Sequence, residues 1–331
     1  MYSRILIEET ISLQLLVFLF LAILAIFFVK ETISLQLLVF LFLVILAIFF
    51  VSRFFRVFLQ NSTDSYFTSE YQIGEYNVRT RSFCLYKKGG SQSEYEDRSA
   101  IAFQDACLRI AVADGTTEGL FSDIWADLLV KGYSNWGAAL FEEPSLWSIH
   151  KEFIHQTYQQ IAEMAEARHW AMYGKLERGT HATLAAIEFS AGKSVKMSAV
   201  GDSCIFWFSE GKIEMFPELN VEDFGISPDA ICHLPETWQN LGQKVRTKEI
   251  KFEQSCQFVI CTDAIAFWLL QESQENNDFS AWKKIINLSD ETAFNQLVED
   301  LRDSKKIRND DVTLVIVDAT FNVGIPRSID I

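Results

Sequence analysis

Aspartates stand at the ends of several apolar segments of this sequence. Asp114 ends "CLRIAVAD", Asp202 ends "SVKMSAVGD" and Asp263 ends "QFVICTD", while Asp310 and Asp311 directly precede "VTLVIV". An unpaired carboxylate at the end of a buried strand is unfavourable, and carboxylates that lie close together repel one another. A hard cation between them would relieve this repulsion. A set of oxygen ligands without a His and Cys set favours Mg²⁺ or Mn²⁺ over Zn²⁺.

A single aspartate of this kind has a simpler interpretation. It is usually a helix N-cap or a turn residue. Several of them, together with Glu96 and Asp97 just before "SAIAFQ", favour a shared cation site if the strand ends meet at one edge. The sequence therefore predicts chemistry that depends on a divalent metal.

The elements that must position these acids are apolar runs bounded by turn residues. Strands are predicted at 82–86, 99–104, 107–114, 182–190, 194–202, 204–211, 212–216, 257–263 and 312–319. Segments of helical period are found at 121–140, 145–174, 280–288 and 291–306. The segment 145–174 is predicted as one long helix that ends near Gly174. Because the helices are grouped and do not alternate with single strands, the pattern predicts an α/β sandwich of antiparallel sheets with helices outside.

Composition limits the function further. The chain has 331 residues and is 49% hydrophobic, which is enough for a sizeable core. Its net charge of -15 argues against nucleic acid as a partner and suits a metal ion or a cationic peptide better. The six cysteines form no CxxC pair and lie mostly in apolar runs, which indicates reduced core residues in the cytosol.

The first part of the chain contains a direct repeat. The segment "ETISLQLLVFLFLAILAIFFV" at 9–29 returns at 31–51 with a single difference, Ala22 against Val44. Residues 11–29 and 33–51 carry no charge, and each would reach about 28 Å as a helix, which is near the thickness of the hydrocarbon core. Each copy is therefore a candidate transmembrane segment.

Two arrangements of the copies remain open. A hairpin that turns at "VKET" would let both span, although no Gly, Pro or Asn marks a turn there; alternatively, only one copy spans. Arg53 and Arg56 follow the second copy, and the positive-inside rule places that flank and the remainder of the chain in the cytoplasm. A cleaved signal peptide fits poorly, because the apolar block is too long and lacks a small-residue cleavage pattern.

Six motifs in order resemble those of the metal-dependent serine/threonine protein phosphatases of type 2C, in a divergent, bacterial-type form. They are "EYEDR" (94–98), "VADGTTEG" (112–119), "GTHATLAAIEF" (179–189), "AVGDSCIFWF" (199–208), "VICTDAIAFWL" (259–269) and "NDDVTLVIV" (309–317). The resemblance implies a four-layer α-β-β-α sandwich of two mainly antiparallel sheets flanked by helices. It divides the chain into a membrane segment (1–58), a linker (59–78), a catalytic domain (79–320) and a tail (321–331).

The resemblance also implies roles for individual residues. Asp114 would bridge two Mn²⁺ or Mg²⁺ ions, and Gly115 would offer its carbonyl oxygen to one of them. Asp263 and Asp310 would be further ligands, and Asp97 an outer contact of the same centre. Asp114, Asp263 and Asp310 would act in catalysis through a water that the two metals activate, so no Ser, Cys or His intermediate is needed.

Three further positions have more than one interpretation. Asp202 would be a buried structural acid or an additional metal contact. The same two roles are open for Asp311, which stands where the family has asparagine. His181 is a conceivable general acid, but it occupies a place where the family has a small polar residue. A structural role is therefore expected for His181.

The sequence departs from the family at three points. The family's phosphate-binding arginine falls at Gln92, which has no charged fork for a phosphate. Lys87, Lys88 and Arg98 are the candidate replacements. The stretch after Gly115 lacks the usual glycines, and Ala264 replaces the glycine that follows Asp263.

Two functions follow from these observations. The first is a membrane-tethered phosphatase that hydrolyses phosphoserine and phosphothreonine in cytoplasmic proteins. The second is an inactive pseudophosphatase that binds a phosphoprotein or regulates a partner at the membrane. Retention of every ligand aspartate favours the enzyme, and the missing arginine keeps the second hypothesis open. Kinase, dinucleotide-binding and zinc hydrolase classes lack their motifs here.

Overall fold

The structure is a computed structural model that describes residues 65–116, 119–192, 194–209, 211–224, 228–252, 255–275 and 279–321. The candidate spans 11–29 and 33–51, the whole segment 1–58 and the tail from residue 322 lie outside the described residues. Within the ranges just given, no helix is both long and apolar enough to cross a membrane.

The strands are short and closely spaced along the chain. Their bounds are β1 Tyr66–Ile73, β2 Tyr76–Leu85, β3 Arg98–Gln104, β4 Cys107–Ala113, β5 His181–Ala182, β6 Leu184–Ser190, β7 Ser194–Val200, β8 Cys204–Ser209, β9 Lys212–Phe216, β10 Ile231–Cys232, β11 Arg246–Lys251, β12 Cys256–Cys261 and β13 Val312–Phe321. The helices are α1 Ser122–Trp136, α2 Glu143–Glu163, α3 His169–Leu176, α4 Leu241–Lys244, α5 Asp263–Glu275, α6 Ser280–Ile286 and α7 Glu291–Asp303.

Two antiparallel sheets form the centre of the domain. The first has the strand order β1-β2-β13-β12-β8-β9, and the second has the order β11-β7-β6-β4-β3. A further short ribbon pairs β5 with β10. Side chains from the inner faces of both sheets, among them Ile110 and Ile187 of one and Ile260 and Val315 of the other, form one buried cluster. The sheets are therefore packed face to face.

Helices cover the two outer faces. The outer face of the first sheet packs on α5, α6 and α7, with Trp268, Trp282 and Phe294 fully or almost fully buried. The outer face of the second sheet packs on α1, α2 and α3 through a second cluster that contains Trp125 and Phe153. Successive residues of a strand point to opposite faces, which is why nearly continuous apolar runs occupy the central strands. The predicted α-β-β-α sandwich is confirmed for the described residues.

Two elements of the structure differ from the sequence-based expectations. Strand β1 lies inside the predicted linker 59–78 and pairs with β2 along its whole length. It is an edge strand whose residues are mostly half-exposed, so its sequence lacks the apolar signal of a buried strand. The long helix predicted at 145–174 is divided into α2 and α3, because the backbone of Met164 is extended at the end of α2.

Candidate metal centre

The fold brings together aspartates that are far apart in sequence. Asp114 follows β4 and Asp263 is the first residue of α5. Burial raises the pKa of Asp114 well above its usual range, and the charges of Asp97, Asp263, Asp202 and Asp310 add to this rise. We call these five residues the acid cluster. These charge effects indicate that the five aspartates lie in the same region of the fold.

The pKa values of two other members of the acid cluster are also raised. Burial, followed by repulsion from Asp202 and Asp310, raises the pKa of Asp263 to about 7. Burial also raises the pKa of Asp202 to about 6. The Oδ1 atom of Asp202 is buried and has no hydrogen-bond partner in the described part of the chain. A buried carboxylate oxygen without a donor is unfavourable unless a cation or a water meets it.

Asp97 is the most buried acid of the cluster, and two threonines hold it. Its Oδ2 atom accepts a hydrogen bond from Thr262 Oγ1 at 2.9 Å, and Thr262 Oγ1 itself accepts the backbone N–H of Thr313 at 3.0 Å. Burial raises the pKa of Asp97 well above its usual range, and the charge of Asp311 adds to this, whereas the hydroxyl of Thr262 lowers it. Neither threonine stands out in the sequence, although each is next to or near a motif aspartate.

Asp310 and Asp311 are neighbours with different surroundings. Asp311 is buried, and its two carboxylate oxygens accept the backbone N–H groups of Lys87 at 2.8 Å and Glu96 at 2.7 Å. It therefore ties the loop that carries Asp97 to the start of β13. The Oδ1 atom of Asp310 accepts the backbone N–H of Asp311 at 2.9 Å. This geometry favours a structural role for Asp311.

Gly115 is held where a side chain has no room. A Cβ atom added to it would lie 2.8 Å from the carbonyl oxygen of Ser122 and 3.0 Å from that of Glu96. Gly115 also forms an isolated β-bridge with Ala182 of β5. The backbone N–H of Thr183 donates to the carbonyl oxygen of Asp114 at 2.9 Å. The short ribbon of β5 and β10 thus fixes the backbone at Asp114 and Gly115.

His181 contributes to this support through its backbone. Its carbonyl oxygen accepts the N–H of Thr116 at 3.1 Å. Burial lowers the pKa of the His181 ring, and the charge of Lys244 lowers it further. These contacts agree with the structural role expected for His181.

The three candidate phosphate-binding cations are all ion-paired. Lys88 Nζ lies 3.0 Å from Asp303 and 3.2 Å from Glu299, on the side of α7. Lys87 Nζ lies 3.7 Å from Glu96. Each of these lysines therefore has an acidic partner in the free protein.

Arg98 is also engaged. It donates to the carbonyl oxygens of Tyr95 at 2.5 Å and Asp97 at 2.7 Å, and it forms an ion pair with Asp123 at 3.0 Å. A different cation, the exposed Arg308, lowers the pKa of both Asp202 and Asp263. Arg308 lies two residues before Asp310, and no motif of the sequence marks it.

The donor set fits hard divalent cations. In the described ranges, no three acidic, His or Cys side chains are close enough to hold a metal ion as they stand. Carboxylates that repel one another are expected to remain apart until a cation attracts them. The unpartnered oxygen of Asp202, the tight backbone approach at Gly115 and the all-oxygen ligands agree with Mg²⁺ or Mn²⁺.

Comparison with known families identifies the family of the chain. The sequence profile of protein phosphatase 2C matches residues 89–305. The chain belongs to the protein phosphatase 2C family. It is thus a metal-dependent serine/threonine protein phosphatase, the class that uses Mn²⁺ or Mg²⁺, as the motifs predicted. A search of curated proteins gave no match.

Several solved structures resemble the chain at low sequence identity. RsbX in complex with magnesium is 18% identical, with a TM-score of 0.43 over 77% of this chain and 100% of that one. The Mycobacterium tuberculosis serine/threonine phosphatase PstP/Ppp is 14% identical, with a TM-score of 0.48 over 73% and 98% of the two chains. The PstP catalytic domain in complex with two manganese ions is 14% identical, with a TM-score of 0.45 over 74% and 99%.

Proposed function

We propose that this phosphatase hydrolyses phosphoserine and phosphothreonine esters of cytoplasmic proteins while tethered to a membrane. The repeated apolar segments 11–29 and 33–51 support the tether, and Arg53 and Arg56 support a cytoplasmic position of the catalytic domain. The partner is then a phosphorylated protein that reaches the membrane surface.

The proposal assigns the metal ligands to the acid cluster and its glycine. Asp114, Gly115, Asp263 and Asp310 would hold two Mn²⁺ or Mg²⁺ ions, with Asp97 as a supporting contact and Asp202 as an additional one. When bound, two such cations act as Lewis acids toward the phosphate and lower the pKa of a water molecule.

The protein's own contribution is to fix these ligands before substrate arrives. The packing around Gly115 and the bond from Thr183 to Asp114 hold one ligand segment, while Thr262 orients the carboxylate of Asp97. Preorganised ligands of this kind do not have to be ordered during the reaction.

Two buried cysteines, Cys204 and Cys261, are not suited to act as the nucleophile. Burial raises the pKa of the thiols of Cys204 and Cys261 well above their usual range. Both remain protonated near neutral pH and are therefore poor nucleophiles. This supports direct attack by water on the phosphate.

The convergence of the acid cluster is the observation that carries the proposal. Its test is hydrolysis of para-nitrophenyl phosphate by the full-length chain with Mn²⁺ and with a chelator, beside Asp114→Asn. We expect turnover that needs Mn²⁺ and falls at least about 10³-fold in Asp114→Asn, as for the loss of a group that stabilises the transition state. The matched control Asp229→Asn changes an exposed aspartate outside the acid cluster and should leave turnover unchanged.

Two outcomes would contradict the proposal. Turnover that survives the chelator would exclude the metal-dependent mechanism. Binding of Mn²⁺ without turnover of any phosphoester would favour a pseudophosphatase instead.

The membrane tether has a separate test. A reporter fused after Ile331 should signal from the cytoplasm, and the full-length chain should sediment with membranes after an alkaline wash. A signal from outside the membrane would contradict the assigned orientation. A chain that stays in the supernatant would contradict the tether.

A further inference from the structure

A cavity of about 420 Å³ opens beside the metal centre. Residues of β2, of the start of β3 and of α7 line it, and Asp97 forms part of its wall. Its volume lies within the range of small-ligand pockets, which is roughly 300–1,000 Å³. The cavity is therefore large enough for one extended side chain and lies next to a proposed ligand of the metals.

Two hydrogen-bond acceptors on α7 face this cavity. Glu291 and Asn295 are four residues apart on the helix and so lie on the same face, and both line the cavity. The Oδ1 atom of Asn295 is buried and has no hydrogen-bond partner among the residues described. Such an acceptor is unfavourable in the free protein and would be satisfied by a ligand that donates hydrogen bonds.

Arg98, which also lines the cavity, does not neutralise these acceptors. Arg98 donates to the carbonyl oxygens of Tyr95 and Asp97, and its charge is paired with Asp123 at 3.0 Å. The carboxylate of Glu291, whose Oε1 atom accepts a hydrogen bond from the hydroxyl of Ser65, then leaves the cavity with a negative charge that no cation of its wall offsets among the described residues. A cationic ligand with several N–H donors fits this charge better than an anion does.

The remaining wall suits the stem of a long basic side chain. Leu85 and the 42% exposed ring of Tyr86 line the cavity together with these polar groups. The methylene groups of an arginine or lysine can pack on such surfaces while the charged end reaches the acceptors. The chain's net charge of -15 agrees with a basic partner.

We infer that this cavity receives the ammonium or guanidinium group of a lysine or arginine in the phosphoprotein substrate. The inference rests on the proposed function, because the basic residue is placed beside the phosphorylated one. Glu291 and Asn295 are then specificity-determining residues. They act on substrate affinity and have no part in the hydrolysis itself.

The test uses the full-length chain with Mn²⁺ and a series of phosphoserine peptides. One arginine is moved through the three positions on each side of the phosphoserine in an alanine background. We expect at least one position to lower KM about tenfold, which corresponds to roughly 1.4 kcal/mol. Asn295→Leu and Glu291→Gln should each reduce the ratio of the KM values of the alanine and arginine peptides toward one. Glu163→Gln, an exposed acid at the end of α2, should preserve this ratio.

Each other outcome is also decisive. Hydrolysis of the peptides without any arginine preference would overturn the inference and leave the proposed function intact. An arginine preference that survives both variants would have the same two consequences. Agmatine that inhibits the wild type and not Asn295→Leu, without any peptide preference, would show a site for a free amine and overturn the substrate assignment. If no phosphoester is hydrolysed, the binding of the arginine peptides is measured by calorimetry. Equal peptide affinity in the wild type and in Asn295→Leu would then overturn the inference.

Discussion

The domain places carboxylates below its surface in two different ways. Away from the metal centre, Glu188 lies 2.5 Å from Arg109 and Asp318 lies 2.8 Å from Arg81, so each acid has its own arginine. In the acid cluster, the aspartates raise one another's pKa values, and the exposed Arg308 is the cation that lowers the pKa of two of them.

The contrast distinguishes carboxylates that stabilise the fold from carboxylates of the proposed metal site. A paired carboxylate has its counter-charge within the folded chain. Removal of that partner leaves an unpaired charge that destabilises the fold. A cluster of like charges opposes folding unless an external cation binds to it. The two regions should therefore respond differently to mutation, to pH and to metal.

The largest expected effect is in the paired region. Arg109→Met removes the partner of Glu188 and the donor to the carbonyl oxygen of Asn135. The free energy of unfolding, measured with urea, should fall by about 3 kcal/mol, because Glu188 is left unpaired in a largely buried site. Lys212→Met breaks an exposed pair and should change it by less than about 0.5 kcal/mol. Equal effects of the two substitutions would show that burial does not distinguish these pairs.

The next effect is at the backbone of the metal centre. Gly115→Ala places a Cβ atom 2.8 Å from the carbonyl oxygen of Ser122, so this backbone must move. We expect a loss of about 2 kcal/mol in the free energy of unfolding, together with weaker Mn²⁺ binding. Gly242→Ala is the matched control, since an added Cβ meets no atom within 4 Å there. Undiminished Mn²⁺ affinity in Gly115→Ala would argue against Gly115 as a ligand segment.

A separate effect is expected from pH in the presence of a chelator. The pKa is about 7 for Asp263 and about 6 for Asp202 in the folded protein, against an ordinary value of 3.8. Between about pH 4 and 7 the folded state binds more protons than the unfolded state does. The free energy of unfolding should therefore fall as pH rises through this window, by at most about 1.4 kcal/mol per pH unit for each group.

Urea titrations at pH 5, 6 and 7 would measure this slope. Asp263→Asn removes one of the titrating groups and should make the slope shallower. A free energy of unfolding that rises with pH over this range would show that the acid cluster is not under electrostatic stress.

The sequence predicted the central strands β4, β6, β12 and β13 and the edge strands β3 and β9, but it missed the edge strands β1 and β11. Strands β4, β6, β12 and β13 are buried on both faces, and their apolar runs marked them clearly. Strands β1 and β11 lie at the edges of their sheets and alternate between half-exposed and exposed residues. Their pairing comes from a neighbouring strand, so a local pattern does not reveal it.

The residues of the candidate site were also predicted only in part. The aspartates were visible because a charge at the end of an apolar run is unusual. Thr262, Arg308 and Asn295 were not visible, because their roles depend on which elements meet in three dimensions. Lys88 and Arg98 were candidates by charge alone. In the fold they form ion pairs with Asp303 and Asp123, which the local sequence does not reveal.

The most direct test of the central claim is the effect of Mn²⁺ on thermal unfolding of the full-length chain. If the acid cluster lacks its counter-charge until a metal binds, Mn²⁺ at about a hundred times its Kd should stabilise the wild type by about 2.7 kcal/mol. The same Mn²⁺ should leave Asp114→Asn almost unchanged and should stabilise Asp229→Asn as much as the wild type. An unfolding temperature of the wild type that does not respond to Mn²⁺, or an equal rise in Asp114→Asn, would contradict the account.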